Sequence, residues 1–322
     1  MGEQPTFAAI AWGQKGKVTR RERFLAEMNA VIPWARLHRL IKRHYPKAGR
    51  GRQPIGLDTM LRIYFLQQWF NLSDPQAEDA LYDSESMRRF AGIELGTAVV
   101  PDETTILRFR HLLEQHHLTE AIFAAVKDLL AEKRLLLHAG TIVDATIIAA
   151  PSSTKNAAHA RDPEMKQTRK GNVWHFGMKL HVGTDIHGLV HSVTTTDAAT
   201  GDITQLPALL HGDERTIYGD RAYWSEAQRW IFEDCGVRYR INRRGHSTAP
   251  LPERWRAINR ARSRIRARVE HPFHIVKRLW GFTKVRYRGL AKNAARAFAM
   301  FALANLYLVR KRLRPVELQC AG

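Results

Sequence analysis

From Leu57 the apolar residues recur at helical spacing. Leu57, Met60, Leu61, Tyr64 and Phe65 fall three and four apart, and Gln68 continues the row. Ser73-Asp74-Pro75-Gln76 supplies a capping residue followed by proline, a helix start. Leu81, Met87 and Phe90 carry the spacing on, and Gly92 and Gly96 mark a loop. Asp102-Glu103-Thr104-Thr105 opens another helix with Ile106, Phe109, Leu112 and Leu113 on its buried side. A further helix is predicted over 119–134. Residues 51–135 therefore predict an all-helical domain, with Arg108, Arg110 and His111 on an exposed face.

At Leu135 the period changes. Thr141-Ile142-Val143-Asp144-Ala145-Thr146-Ile147-Ile148 is a β-branched run with one carboxylate in its middle. An unpaired carboxylate among apolar strand residues costs several kcal/mol, so Asp144 needs a cation; a strand edge facing water is the alternative. The polar stretch 151–171, bearing Lys155, Arg161, Lys166, Arg169 and Lys170, reads as a mobile loop over a groove. Strands over 174–184 and 189–195, joined by Asp185-Ile186-His187-Gly188, predict an antiparallel hairpin. A short strand over 216–219 ends at Asp220, which is either a helix cap or an active-site group at a strand's carboxyl end. One more strand is expected over 237–241. Residues 293–314 predict a long apolar helix; its run Ala297 to Val309 is too short to span a bilayer and contains Asn305.

Composition adds charge. The chain has 322 residues, with 51 Lys+Arg against 31 Asp+Glu and a net charge of +20. A folded chain this basic most often meets a polyanion, for which nucleic acid is the usual case. The basic residues of 1–50, with Trp34 and Tyr45 among them, read as an arm that touches DNA or solubilises the chain. Between Arg238 and Arg296 the only acids are Glu253 and Glu270. There Arg266, Glu270 and Lys277 share one helical face, and Pro272 should kink or end the helix just past Glu270. Two distant cysteines, Cys235 and Cys320, and no basic-then-apolar leader fit a reduced cytoplasmic protein. His175, His181, His187 and His191 gather in the hairpin without a closed ligand set, and are read as structural or DNA-contacting.

Asp144, Asp220 and Glu270 thus stand on successive elements. Three acids without thiolate or imidazole partners suit a hard cation with oxygen ligands, Mg²⁺ or Mn²⁺. Two such ions can bind the attacking and leaving oxygens of a phosphodiester exchange.

Over 50–310 the chain resembles the DDE transposases of bacterial insertion sequences, most closely the family named after insertion sequence five. The resemblance is carried by Asp144-Ala145-Thr146, by Trp174-His175-Phe176-Gly177-Met178-Lys179, by Tyr218-Gly219-Asp220-Arg221-Ala222-Tyr223, and by Arg266, Glu270 and Lys277 at fixed spacing. One position departs: Ser263 stands where the family has tyrosine. The resemblance implies an α/β, RNase H-like catalytic domain (a mixed sheet flanked by helices) behind an all-helical N-terminal domain. The expected division is a basic arm at 1–50, a helical DNA-binding domain at 51–135, the catalytic domain at 136–314 and a tail at 315–322. It implies that Asp144, Asp220 and Glu270 bind two Mg²⁺ ions, with Mn²⁺ able to substitute. The activity implied is cleavage at terminal inverted repeats and joining of the 3′-hydroxyl to target DNA, by a homodimer on DNA with no membrane part. Arg266 and Lys277 are expected to contact DNA near the scissile phosphate, and Arg221, Lys179 and Arg262 to add DNA contacts. The alternatives are an RNase H-fold nuclease that does not join strands, and an inactive relative that only binds DNA.

Overall fold

The structure, a computed structural model, describes residues 12–313 apart from 52, 96, 97, 158, 244 and 246–248. The expected tail at 315–322 and the first 11 residues of the expected arm lie outside the described residues.

The N-terminal part is helical. Its helices are α1 (Arg20–Val31), α2 (Trp34–Lys42), α3 (Leu57–Phe70), α4 (Asp74–Asp83), α5 (Glu85–Ala91), α6 (Glu103–Gln115) and α7 (Leu118–Glu132). The caps read from sequence are made: Ser73 and Gln76 form a reciprocal capping box, and Asp102 accepts from the Thr105 N–H. The expected basic arm is different where it is described. Residues 20–42 form α1 and α2, and Leu25, Met28, Leu37 and Ile41 are buried in the same core as α3. Those few apolar residues, thinly spread among arginines, are enough to anchor both helices. A second expectation fails at Arg110. It is buried, ion-paired to Asp74 and Glu114, with its guanidinium 4.1 Å from the Tyr287 ring, while Arg108 and His111 are exposed.

The strands are β1 (Gly140–Ala149), β2 (Lys166–Lys170), β3 (Val173–Thr184), β4 (Val190–Asp197), β5 (Thr216–Gly219) and β6 (Arg238–Ile241). β1 pairs antiparallel with β3 and parallel with β5, and β5 is parallel to β6. β4 continues the sheet beyond the inner half of β3. The order β4-β3-β1-β5-β6, three antiparallel strands followed by two parallel additions, is the RNase H-like arrangement. β2 falls within the stretch 151–171 expected as a mobile loop. Lys166–Lys170 pairs with the outer half of β3, turned by Gly171 at φ +62°. All five of its residues are polar, so no period-2 pattern marks it; backbone pairing holds it, with Lys166 3.6 Å from Asp197.

Helices α8 (Glu226–Asp234), α9 (Glu253–Arg266), α10 (Glu270–His274) and α11 (Leu290–Leu313) complete the architecture. The buried face of α11 packs between α7 and β4, so one hydrophobic core runs through both the helical part and the sheet. A buried amide in the apolar stretch of that helix has a use. Asn305 is fully buried, donates to the Val190 carbonyl at 2.7 Å and accepts from the Val190 N–H at 2.8 Å. It satisfies the outer edge of β4, where both groups would otherwise be orphaned in the core.

Candidate active site on the central strand

β1 runs through the middle of the sheet, and Ile142, Val143 and Ile148 on it are buried. Asp144 interrupts this series, and the cation its sequence position demands is there. Arg266 Nη1 lies 2.7 Å from Asp144 Oδ2, and Asp144 Oδ1 accepts from the Ala145 N–H at 2.8 Å. Burial pushes the Asp144 carboxyl up to about 6 against the pull of Arg266 and the Ala145 N–H, and nearby Asp220 pushes the same way.

Asp220 is there because β1 and β5 are parallel with Gly140 beside Thr216 and Ile142 beside Tyr218. Positions 144 and 220 each lie two residues beyond the last pair, and Asp220 is close enough to act on the Asp144 carboxyl. Asp220 caps the short 3₁₀ turn Arg221–Tyr223 with Oδ1, which accepts from the Ala222 N–H at 2.8 Å. The two readings of Asp220 are therefore compatible, since the cap uses one oxygen.

The third acid lies on an irregular helix. α9 ends at Arg266, a 3₁₀ turn covers Ala267–Val269, α10 follows, and a π turn spans Ile275–Leu279. The irregularity falls where Pro272 removes an N–H. The segment is fastened to β1 at both ends. Arg266 holds Asp144, and Lys277 Nζ donates to Thr146 Oγ1 at 2.9 Å and to the Ile147 carbonyl at 3.0 Å. Glu270 falls between these two anchors along the chain and is exposed. The structure brings Asp144 and Asp220 together, but the three carboxylates do not close to within 4.8 Å of one another.

The five expected DNA contacts differ in availability. Arg221 is exposed next to Asp220. Lys179 is committed inward, to the Thr200 carbonyl at 2.7 Å and Asp202 at 2.9 Å, so it is not offered to a phosphate. Arg262 is half-buried and donates to the Ile241 carbonyl at 2.6 Å; burial lowers its pKa, with Arg240 and Arg243 adding to the effect. Burial likewise lowers Lys277, followed by Lys170 and Arg278. Ser263, at the departing position, accepts from the Asn242 amide at 3.0 Å, which ties α9 to the end of β6.

Two features were missed from sequence. Tyr223 is fully buried, its hydroxyl has no partner, and Asp202, Asp144 and Asp220 all act on it electrostatically. Its place in the Asp220 motif was the available signal, while nothing marked Asp202. Arg243 stacks on Trp255 at 3.7 Å and lies 5.2 Å from the Trp224 ring, a cation–aromatic cluster beside the basic helix.

This chemistry fits a hard divalent cation. The Asp144–Asp220 pair offers oxygen donors only, and a buried carboxyl held near 6 beside a second acid has more negative charge than one guanidinium offsets. Glu270 would join them only by a swing of its side chain or its helical segment.

The chain matches two family models. Residues 136–306 match the family described as "Transposase DDE domain", and residues 14–112 match that described as "Transposase domain (DUF772)". Among solved structures, a piggyBac transposase synaptic complex with hairpin DNA is 10% identical, covering 90% of this chain and 75% of that chain at a TM-score of 0.48. The Mos1 strand transfer complex is 13% identical, covering 92% and 96% at a TM-score of 0.27.

Proposed function

The chain belongs to the DDE transposase family, and on that premise we propose that Asp144, Asp220 and Glu270 are its catalytic carboxylates. It is a DNA transposase, a DNA-cleaving and strand-transferring enzyme that depends on divalent metal ions. The finer reading is that the ions are a pair of Mg²⁺, replaceable by Mn²⁺, and that the substrate is an insertion-sequence end. Its motifs argue for the subgroup named after insertion sequence five. Two ends must be joined, so the working form is a homodimer on DNA, acting in the cytoplasm at the nucleoid. Among the described residues no helix is long and apolar enough to cross a membrane.

The observation that supports this reading is Asp220 within electrostatic reach of Asp144 on the central strand, with the segment that carries Glu270 fastened to the same strand by Arg266 and Lys277. Bound between the carboxylates, the metal ions would supply Lewis-acid stabilisation to the attacking and leaving oxygens of the exchange. The protein's own part is to hold those acids and to present cations. Arg221, already exposed beside Asp220, is placed to hold a backbone phosphate. With a cation held at Asp144, the Arg266 guanidinium would be available to a backbone phosphate. Lys277 stays on the Thr146–Ile147 segment and neutralises the phosphate from the side.

The test is strand transfer on a supercoiled donor plasmid with Mg²⁺. Asp220→Asn should neither cut nor join while keeping its DNA affinity. An Asp220→Asn protein that still cuts and joins ends the assignment, and nicked product that is never joined favours a plain nuclease.

A further inference from the structure

We infer that His138, His211 and Asp213 form a second metal site, for a transition-metal ion of the zinc class, that staples the root of β1 to the loop entering β5. Their ligand atoms all lie within 4.8 Å of one another, the one cluster at that spacing among the described His, Cys, Asp and Glu residues. Two imidazoles and one carboxylate suit a borderline ion such as Zn²⁺ rather than the hard cation of the all-oxygen site. A tetrahedral ion with ligand distances near 2.0 Å wants its donors roughly 3.4 Å apart. Two of the three side chains are exposed, so closing the remaining gap needs little rearrangement.

The surroundings are built for this geometry. The loop is locked to the strand by the Arg215 N–H, which donates to the Ala139 carbonyl at 3.1 Å. Gly212 takes φ +99°, a conformation glycine adopts freely, and this reverses the chain between His211 and Asp213. Beneath them Glu214 is buried. It accepts from the backbone N–H groups of His211 at 2.7 Å and Gly212 at 2.9 Å, and from the Thr141 hydroxyl at 3.0 Å. The same carboxylate lies 3.4 Å from His211 Nε2, while His211 Nδ1 accepts from the Asp213 N–H at 3.2 Å. These contacts put the proton on Nε2, toward a carboxylate, and the lone pair on Nδ1, where an ion would take the place of the Asp213 N–H as its partner. The His138 and His211 rings meet edge to face at 5.3 Å, and His191 closes the other side of His211 at 4.9 Å.

The site is separate from Asp144. Thr141, which touches Glu214, and Asp144 are three apart on β1 and so point to opposite faces of the sheet. It nevertheless fastens the roots of the two strands that carry Asp144 and Asp220.

The experiment uses the full chain freed of metal by chelation, titrated with Co²⁺ in excess Mg²⁺ and followed by visible absorption. The wild type should take up one Co²⁺ with tetrahedral d–d bands, lose them when Zn²⁺ is added, and melt at a higher temperature with Zn²⁺ than without. His138→Ala and Asp213→Asn change exposed side chains, so both should fold normally by circular dichroism. Each should lose the bands and bind Co²⁺ at least about tenfold more weakly. Absence of the bands in the wild type, or bands of unchanged affinity in both variants, overturns the site.

Discussion

Arg266 is the counter-ion of Asp144: its guanidinium reaches 122 residues back along the chain to Oδ2, at 2.7 Å. The contact joins the basic helix to the central strand, and it makes the active-site region sensitive to the cation that occupies it.

Removing that cation should therefore show without DNA. Arg266→Ala should destabilise the metal-free protein by about 1–3 kcal/mol, between the values for exposed and fully buried pairs, since both side chains keep some solvent contact. Mn²⁺ should then raise the melting temperature of the variant more than that of the wild type. Equal metal responses in thermal melts would mean that Arg266 and the metal do not answer to the same carboxylate.

Metal binding should also depend on pH. The Asp144 carboxyl is raised to about 6, so the metal-free protein carries a proton there below that value, and a cation must displace it. Mn²⁺ affinity, measured calorimetrically in the absence of DNA, should fall as pH drops from 7 to 5. Asp144→Asn should abolish that dependence along with most of the affinity.

Acid stability has the opposite origin. His191 is held down to about 3 by burial, then by His211 and Lys127, and burial also lowers His181. Below pH 6.5 the unfolded chain protonates these imidazoles and the folded chain does not. Their contribution is thus present above 6.5 and is lost as pH falls toward 3. Asp144, raised to about 6, and Asp185, also raised by burial, act the other way above their unfolded value of 3.8, but His191 is moved furthest from its ordinary value. Urea midpoints should fall from pH 7 to pH 5, and His191→Asn should flatten that slope.

Asn305 is the fourth test. Asn305→Leu leaves the N–H and carbonyl of Val190 unpaired in the core, which should cost about 2–5 kcal/mol for two buried orphans. Denaturant unfolding would show it; a loss under 1 kcal/mol would mean that the edge of β4 finds another partner.

Much of this was legible in the residues. Helices with caps, the β-branched strand around Asp144, the hairpin and the irregularity near Pro272 followed from local patterns, because each is decided by neighbours in sequence. What escaped was decided by tertiary partners. β2 has no side-chain pattern, since backbone pairing to β3, a tertiary contact, makes it a strand. The helices of 20–42 read as an arm because their buried residues, Leu25, Met28, Val31, Leu37 and Ile41, are thinly spread among many charges. Arg110 read as surface because its partners, Asp74 and Tyr287, are far away in sequence. The same holds for Lys179, a motif residue turned inward to Asp202. At the site, the residues named three acids; the structure puts Asp220 within electrostatic reach of Asp144 and leaves Glu270 exposed. His138 and His211 escaped notice for a related reason: a long stretch of chain separates them, whereas the hairpin histidines stood close together in sequence.

The central claim is that Glu270 closes onto the Asp144–Asp220 pair when metal and DNA are bound. Anomalous scattering from Mn²⁺ in crystals of the full chain with DNA ends measures this directly. The account predicts Mn²⁺ peaks coordinated by Asp144 and Asp220, with a Glu270 oxygen at about 2.2 Å from one of them. Peaks away from this pair, or a Glu270 still turned to solvent with Mn²⁺ and DNA in place, would contradict it.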